Sequence, residues 1–264
     1  MEYADGGDLA SLIEAKKSKG QRFPEKPDVA KLLLQCCEAL AHCHHELHLL
    51  HRDIKPANIF LTSRGDVKIG DFGISRSVSG STAMALTKCG SPLYMSPELC
   101  EGRPYDRGCD VWALGCSIYQ MCSLKEPFLD QMEPSARRGM MGLMRTICTQ
   151  SLDLDSLDAD YSAGLRGTLS WMLTRESASR PSFREVLASS WVQSLAADKD
   201  VPLERSVSSG TTGSRSPARS NHGSTLSDEA LSTHALLALG TEAHVCAPAG
   251  RRLWMRGCAT AAPP

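Results

Sequence analysis

The apolar residues of the chain fall mainly three or four positions apart, which is the spacing of amphipathic helices. This spacing predicts helices over residues 8–17, 27–45, 110–122, 132–150, 165–174 and 183–190. One of these, residues 110–122, is apolar on most sides, which is typical of a buried central helix. Two short β-rich runs, residues 59–62 and 67–69, flank the sequence Ser-Arg-Gly-Asp and predict a hairpin.

The composition divides the chain into a folded part and a tail. The chain has 264 residues, 42% of them hydrophobic, which is enough for one sizeable core. Between Ser206 and Thr225, however, most residues are Ser, Gly, Thr, Pro or Arg. Such a stretch buries too little apolar area to offset the entropy lost on ordering. We therefore predict a folded unit over residues 1–192 and a disordered, low-complexity tail over residues 196–264.

Charge and cysteine usage narrow the functional classes. A net charge of −1 argues against a general nucleic-acid or membrane binder. No apolar run approaches the roughly 18 residues of a membrane helix, and no stretch has the pattern of a signal peptide. The eleven cysteines are odd in number and lack C-x-x-C spacing, so reduced, buried thiols are the simplest interpretation. We expect a cytoplasmic protein, with a nuclear or cytoskeleton-associated location also open.

The chemistry of the chain is concentrated in two motifs. The first is His-Arg-Asp-Ile-Lys-Pro-Ala-Asn over residues 51–58, and the second is Asp-Phe-Gly over residues 71–73. A site that transfers a phosphoryl group needs one carboxylate to orient a hydroxyl nucleophile. It also needs oxygen ligands, such as an amide and a second carboxylate, that hold Mg²⁺ against the nucleotide. The two motifs supply all three groups.

Five motifs in a fixed order carry a family resemblance. They are MEYADGGDLASLI, HRDIKPANIFLT, GDFGISR, GSPLYMSPELC and PYDRGCDVWALGC. In this order and at these separations they resemble the large, C-terminal lobe of eukaryotic protein kinases, and most closely that of NIMA-related (NEK) serine/threonine kinases. The resemblance covers about residues 1–192. It implies a mainly α fold, the C-terminal lobe of a protein kinase, within a superfamily classed as α+β.

The resemblance implies a serine/threonine protein kinase that uses ATP and Mg²⁺. Asp53 would accept a hydrogen bond from the substrate hydroxyl and take its proton, while Lys55 would stabilise charge on the γ-phosphate. Asn58 and Asp71 would bind the metal ions, Asp71 thereby also contributing to the cofactor site. The remaining nucleotide contacts would come from Glu2 and Ala4 at the adenine edge, Asp8 near the ribose and Phe60 under the adenine.

Three further residues are implied to be structural. Glu98 is expected to pair with Arg180, because a buried carboxylate without a partner is costly. Asp110, at the start of the central helix, is expected to accept hydrogen bonds from the backbone N–H groups of residues 51–53.

Regulation is expected to involve Arg52, whose positive charge beside the catalytic aspartate requires an anion. The resemblance implies that this anion is a phosphorylated residue of the activation loop, and Thr87 is the best-placed candidate. Ser91 is expected to shape the substrate site. The implied partners are protein substrates and an upstream kinase, or autophosphorylation of that loop; no nucleic acid or membrane is expected.

The sequence before residue 51 contains neither a glycine-rich phosphate loop nor a strand lysine. In the family, both belong to a small lobe, so we expect the small lobe to be absent from this chain. Catalysis in this class depends on positioning and electrostatics, so we expect a polypeptide without those parts to bind ATP weakly and transfer phosphate poorly.

Other interpretations stay open beside the kinase. A non-catalytic lobe that binds a partner without turnover (a pseudokinase) fits the same motifs. The histidine- and cysteine-rich segment 36–51 suggests a metal site, since His44 and His48 lie one helical turn apart, but packing at the end of a kinase helix is the stronger interpretation. A nuclease-like two-metal site at Asp53 and Asp71 is disfavoured by the surrounding motifs.

Overall fold

The computed structural model describes residues 4–72, 92–132, 139–197, 244–246 and 252–254. Helices dominate these residues, as the apolar spacing predicts. They are α1 (Leu9–Ser18), α2 (Ala30–His45), α3 (Pro97–Cys100), α4 (Gly108–Ser123), α5 (Met140–Thr149), α6 (Ala163–Met172), α7 (Phe183–Ala188) and α8 (Ser190–Ala197). Short single-turn segments at Glu25–Val29, Pro56–Asn58, Pro92–Tyr94, Leu129–Gln131 and Ser177–Ser179 connect them.

The predicted hairpin is confirmed. Strands β1 (Ile59–Leu61) and β2 (Val67–Ile69) pair antiparallel, with Ile59 opposite Ile69 and Leu61 opposite Val67. Its turn is closed by a hydrogen bond from Thr62 N–H to the Asp66 carbonyl, and Gly65 adopts a φ of +74°, which glycine accepts without strain. The hairpin fixes where the chain leaves the loop at residues 51–58.

A second antiparallel hairpin pairs β3 (His244–Cys246) with β4 (Arg252–Trp254). It lies within the segment that the sequence predicts to be a low-complexity tail. Apart from residues 196 and 197 at the end of α8, the rest of that segment falls outside the described residues. The prediction of a disordered tail over residues 196–264 therefore stays a prediction.

Local sequence signals set the starts of several helices. The Asp8 carboxylate accepts a hydrogen bond from the Ser11 backbone N–H at 2.8 Å and caps α1. Ser162 caps α6, and Ser182 with Glu185 forms a reciprocal capping box at α7. Each cap satisfies backbone donors that the first helical turn leaves without partners.

One predicted helix begins where the apolar spacing places it, and one begins later. Helix α2 is assigned from Ala30, but in the preceding segment, Glu25–Val29, only Lys26 has non-helical angles (φ −117°, ψ 133°), so helical backbone continues from residue 27, as predicted. Helix α5 starts at Met140 rather than residue 132. Met132 and Gly139 are both extended, so neither belongs to a helix.

Helix α4 runs through the centre of the core, as predicted. Its buried residues include Trp112, Leu114 and Ile118, all at most 1% exposed. Helices α1, α2, α6 and α7 contribute further residues to the same cluster, among them Leu9, Leu33, Leu40, Leu165, Leu169 and Phe183. Within the described residues, no helix is both long and apolar enough to cross a membrane.

Candidate active site

The loop between α2 and β1 is fastened to α4 by the carboxylate of Asp110, which is 1% exposed. Its Oδ2 accepts a hydrogen bond from His51 N–H, and its Oδ1 accepts one from Arg52 N–H, both at 2.8 Å. The Nε2 of His44, on α2, lies 2.8 Å from the same Oδ2. Burial alone would raise the pKa of Asp110, but its hydrogen bonds with the His44 side chain and the His51 backbone N–H help to lower it below its ordinary value. An ionised Asp110 therefore joins α2, α4 and the loop.

The backbone at Arg52 is held in a conformation that side chains other than glycine seldom adopt, with φ at +66°. The hydrogen bond from its N–H to Asp110 helps to hold it there. The guanidinium carbon lies 5.4 Å from the centre of the Tyr105 ring, in a cation–π contact. Such strained positions persist only where their surroundings fix them.

His51 is fully buried and bridges the loop to the end of β2. Its Nε2 lies 3.0 Å from the Gly70 carbonyl oxygen, and its Nδ1 lies 3.3 Å from the Asp53 N–H nitrogen. A carbonyl only accepts and a backbone N–H only donates, so the ring carries its hydrogen on Nε2 and is neutral. Burial lowers the pKa of His51 below 6.5, even though nearby carboxylates oppose this, and a neutral ring is the result.

Asp53, Lys55 and Asn58 form a hydrogen-bonded cluster. The Lys55 Nζ donates to Asp53 Oδ2 at 2.7 Å, and the Asn58 Nδ2 donates to the same oxygen at 2.9 Å and to the Asp53 carbonyl at 2.7 Å. The Asp53 side chain is 19% exposed and that of Lys55 is 21% exposed, so the cluster faces solvent on one side. A lysine and an amide thus fix one oriented, accessible carboxylate.

Asn58 and Asp71 lie at the same end of the first hairpin. Asn58 immediately precedes β1, and Asp71 follows β2 by two residues. The Gly70 N–H donates to the Asn58 carbonyl at 3.0 Å, which continues the pairing beyond the strands. The charges of Asp53 and Asp71 both oppose the lowering of the pKa of His51, so both carboxylates lie within electrostatic reach of that ring.

Residues 71 and 72 pack back against this loop. Asp71 has a φ of +60°, a second left-handed residue beside the site. The Phe72 ring is 8% exposed, and its centre lies 4.3 Å from that of His51. Gly73 falls outside the described residues.

The segment before α1 runs antiparallel to β1 and places two more predicted site residues. Gly6 N–H donates to the Leu61 carbonyl at 2.9 Å, and Asp8 bridges to Phe60. A Cβ at Gly6 would lie 2.7 Å from that carbonyl oxygen, so only glycine fits there. Ala4 is half-buried at the start of this segment.

The predicted pair of Glu98 and Arg180 is formed by two hydrogen bonds, at 2.8 and 3.0 Å, and both side chains are at most 1% exposed. Arg180 also donates to three backbone carbonyls and lies over the Trp112 ring. Burial would raise the pKa of Glu98, but the hydrogen bonds and charge of Arg180 lower it overall. The pair therefore ties α3 to the loop before α7 in ionised form.

Sequence reasoning missed two contributors to the site. His44 was assigned only to a metal site or to packing, yet it contacts Asp110; the one available signal was its place near the end of α2. Tyr105 lies in a recognised motif but was given no role beside Arg52. Of the predicted residues, Glu2, Thr87 and Ser91 fall outside the described part of the chain.

Two further features of the described residues bear on binding. None of their His, Cys, Asp and Glu side chains form a group of three able to hold a metal ion, so the histidine-rich metal site gains no support there. A cavity of about 380 Å³ lies between α1, α2 and the turn of the first hairpin. None of the predicted catalytic residues lines it.

Comparison with known proteins adds independent information. Residues 1–192 match the family model of the protein kinase domain. The chain is 41% identical over 187 residues to serine/threonine-protein kinase Nek3 of Mus musculus, covering 71% of this chain and 34% of that protein. It is 39% identical over 192 residues to mouse Nek1 (73% and 15% covered) and 38% identical over 205 residues to mouse Nek2 (75% and 44% covered). The chain thus spans less than half the length of these relatives.

Proposed function

The chain belongs to the NIMA-related branch of the protein kinase family, and on that premise we propose that it transfers the γ-phosphate of ATP to serine or threonine hydroxyls of proteins. The observation that carries the proposal is the cluster of Asp53, Lys55 and Asn58, with its carboxylate fixed by two donors and still accessible. Phosphoryl transfer depends on such positioning more than on covalent chemistry by the protein.

In this proposal, Asp53 accepts the proton of the substrate hydroxyl. The two donors to Oδ2 hold the carboxylate in one orientation, so that Oδ1 is directed to the incoming hydroxyl. Lys55 contributes positive charge beside the group being transferred, which stabilises its charge in the transition state. A lysine at this position also supports serine or threonine, rather than tyrosine, as the acceptor.

The residues at the end of the first hairpin fit a Mg²⁺ site. Because the Asn58 Nδ2 donates to Asp53, the amide oxygen is the atom that remains for a cation. Asp71 supplies a carboxylate at the same end of the hairpin. One or two protein oxygens, completed by water and phosphate, are the usual ligands of Mg²⁺. When bound, the ion would neutralise charge on the phosphates, while Asn58 and Asp71 would hold it in place.

We propose that the nucleotide base lies along the segment before α1. The pairing of Gly6 and Asp8 with β1 supports this, since it brings Phe60 beside the backbone of Asp8, in the segment that Ala4 begins. Asp8 already uses its carboxylate to cap α1, and we propose that it also meets the ribose. The contact expected from Glu2 belongs to the same proposal.

Activation by phosphorylation is a further part of the proposal. The left-handed backbone of Arg52 and its stacking on Tyr105 support a guanidinium that is held in one place beside Asp53. We propose that a phosphate on Thr87 pairs with it and orders the loop, and that Ser91 shapes the substrate site. An upstream kinase or autophosphorylation would supply this phosphate.

We place the protein in a reducing compartment, the cytoplasm first, with the nucleus or cytoskeleton also open. The eight cysteines whose side chains the structure describes are free thiols, which supports this assignment.

The polypeptide of these 264 residues, taken alone, is proposed to be a poor catalyst. Its sequence has no glycine-rich loop to cover the phosphates and no strand lysine to pair with them. Misplacement of the reacting groups alone costs about a hundredfold in rate. The residues described above would then supply the base and the metal ligands but not the full phosphate site.

The test compares this polypeptide with a fusion that carries the small lobe of mouse Nek3 in front of Met1. Transfer of labelled γ-phosphate from Mg·ATP to serine/threonine and tyrosine peptides is measured for both. We expect the fusion to phosphorylate serine/threonine peptides and to lose about 10²- to 10⁴-fold of this rate with Asp53→Asn. The matched control is Asp66→Asn, at a surface carboxylate 55% exposed, which we expect to retain activity.

The proposed kinase activity and the proposed impairment of the 264-residue polypeptide would be contradicted by different results. A folded fusion that stays inactive with Asp53 intact would contradict the kinase and favour the alternative, a non-catalytic lobe that binds a partner. A 264-residue polypeptide as active as the fusion would contradict only the proposed impairment.

A further inference from the structure

The cavity between α1, α2 and the turn of the first hairpin has apolar walls. Its volume is about 380 Å³, which falls within the range of small-molecule sites, about 300–1,000 Å³. The apolar lining includes Leu12 of α1, Leu32 of α2, Met121 of α4, and also Phe23 and Leu61. Phe23, Leu32 and Met121 are at most 4% exposed, so these walls are part of the core. An apolar ligand in this cavity would therefore be largely removed from water.

The charged side chains of the same cavity are mostly cationic. Lys16 comes from α1, Lys31 from α2 and Arg64 from the turn of the first hairpin. Among the described residues that line the cavity, Asp28 is the one acid. The whole chain has a net charge of −1, so this excess of positive charge is local. Because the three cations belong to separate elements, their meeting is a consequence of the fold and not of a basic run in the sequence.

The three cations differ in the contacts that they already make. The Lys31 Nζ donates to the Arg64 carbonyl at 3.1 Å and lies 3.5 Å from Asp66 Oδ1, so its charge is already paired. The Lys16 Nζ lies over the Phe23 ring, 5.3 Å from its centre. Neither Lys16 nor Arg64 pairs with a carboxylate within the described part of the chain. Two cationic groups beside an apolar wall are therefore available to an anion.

We propose that this cavity binds a medium-chain carboxylate, a linear alkyl chain that ends in one negative charge. The alkyl chain would lie against Phe23, Leu32 and Met121, and the carboxylate would face Lys16 and Arg64. A group of methylene or water size occupies about 30 Å³ in a liquid, so the cavity has room for roughly 8–12 carbon atoms. Because the carboxylate of Asp28 offsets part of the positive charge, a single negative charge balances the site.

Chain length and charge should both affect the affinity for such a ligand. Burial of one methylene group strengthens binding about fourfold, so the affinity should increase from hexanoate to octanoate to decanoate. An ion pair at an exposed site contributes up to about fivefold and is screened by salt. The affinity for decanoate should therefore fall several-fold when the salt concentration is raised to about 0.5 M. Neither effect needs catalytic activity, so the proposal is independent of the proposed kinase function.

The experiment titrates the 264-residue protein with the three carboxylates, below the concentrations at which they form micelles, and measures binding by calorimetry. Decyltrimethylammonium is the matched control ligand, because it has the same alkyl chain and the opposite charge. We expect one decanoate to bind per chain, and decyltrimethylammonium to bind at least about tenfold more weakly. A photoreactive analogue of decanoate then locates the site by mass spectrometry, and we expect labelled peptides from α1, α2 or the first hairpin.

A pair of variants on α1 tests the role of the charge. Lys16→Glu reverses the charge at the cavity. Lys17→Glu makes the same change at the next residue, which is exposed and does not line the cavity. We expect Lys16→Glu to weaken decanoate binding about five- to tenfold and Lys17→Glu to weaken it less than about twofold. The melting temperatures of both variants show whether they are folded, and the label on the wild-type protein tests the location without any variant.

Several results would overturn the proposal. Decanoate might bind no more tightly than hexanoate or decyltrimethylammonium, or the two lysine variants might bind it equally; either result would remove the basis in length or charge. Labelled peptides from other parts of the chain would place the binding elsewhere. If no decanoate bound and chemical cross-links joined Lys16 to Asp228 or Glu229, the occupant would be the tail of the chain itself. A stable dimer that binds no decanoate would mean that a second copy covers the cavity.

Discussion

Replacement of Asp110 by asparagine probes how the catalytic loop is held. The change keeps the size of the side chain but removes its charge and turns one oxygen into an NH₂ group. In the native protein, Oδ2 faces His44 and the N–H of His51, while Oδ1 faces the N–H of Arg52. The new amide can be placed in two orientations. In the less costly one, its NH₂ group faces the backbone N–H of Arg52, so two hydrogen-bond donors face each other and neither has an acceptor.

The expected loss follows from these three contacts. A hydrogen bond to a charged acceptor contributes about 1 kcal/mol more than one to a neutral acceptor, so three such bonds lose about 3 kcal/mol. A buried donor without a partner costs about 1–3 kcal/mol more. Against this, a neutral amide is easier to bury than a carboxylate, which offsets part of the loss. We expect Asp110→Asn to lower the free energy of unfolding by about 2–4 kcal/mol.

Urea unfolding measures this loss directly. A lower midpoint with an unchanged slope would show reduced stability without a change in the unfolded state. For a domain of this size, the melting temperature should fall by roughly 4–16 °C. In the fusion with a small lobe, we also expect a lower rate of phosphoryl transfer, because the loop that carries Asp53 loses its anchor.

The matched control is Asp130→Asn, at a carboxylate that is 69% exposed and pairs with Lys125 at the surface. Exposed pairs contribute about 0–1 kcal/mol, so this variant should stay close to wild type. If Asp110→Asn were no more destabilising than Asp130→Asn, the three contacts would not be what holds the loop, and the reasoning would be refuted.

Three other perturbations have expected outcomes. Glu98→Gln leaves Arg180 buried with a neutral partner and should cost about 3–5 kcal/mol in urea unfolding. The lowered pKa of His51 means that the unfolded chain binds a proton at higher pH than the folded chain, so stability should fall as pH drops below about 6.5. His51→Gln should weaken this dependence. Gly164→Ala should destabilise, because its Cβ would overlap a tryptophan ring, whereas Gly167→Ala in the same helix should be neutral or stabilise by about 0.5–1 kcal/mol.

Each of these three perturbations has its own control or its own result that would contradict it. The control for Glu98→Gln is Glu101→Gln, at a carboxylate that is 43% exposed. If both variants lost the same free energy of unfolding, the buried pair would contribute no more to stability than an exposed one. For His51, equal pH dependence in wild type and variant between pH 5.5 and 7.5 would contradict the sign derived above. If Gly164→Ala were as stable as Gly167→Ala, the ring would have room to move, and the steric argument would fail.

Much of the fold was predictable because its signals are local. The cap at Asp8, the apolar surface of residues 110–122 and the two short strands around residues 62–66 are each encoded within a few adjacent residues. The start of α5 at Met140 was predicted too early. The apolar spacing continues back to Met132, whereas the backbone at Met132 and Gly139 is extended.

The identities of the site residues were predictable for a different reason. Asp53, Lys55 and Asn58 lie within six consecutive residues of one short loop, so their side chains are close together whatever the rest of the fold. The spacing from Asn58 to Asp71 matches a two-stranded hairpin, so their common location follows from the turn between the strands. How Asp53 is oriented, however, could not be read from this order.

By itself, the sequence determined which chemical groups are present, in which order, and the local elements that carry them. Only the tertiary structure decided that Asp110 fixes the loop from 59 residues away along the chain, that His44 shares its oxygen, and that Glu98 and Arg180 pair although 82 residues separate them. The physical reason is that these contacts arise from helix packing around one core. Burial of apolar area drives that packing but specifies no particular polar contact, so each contact depends on the final three-dimensional arrangement.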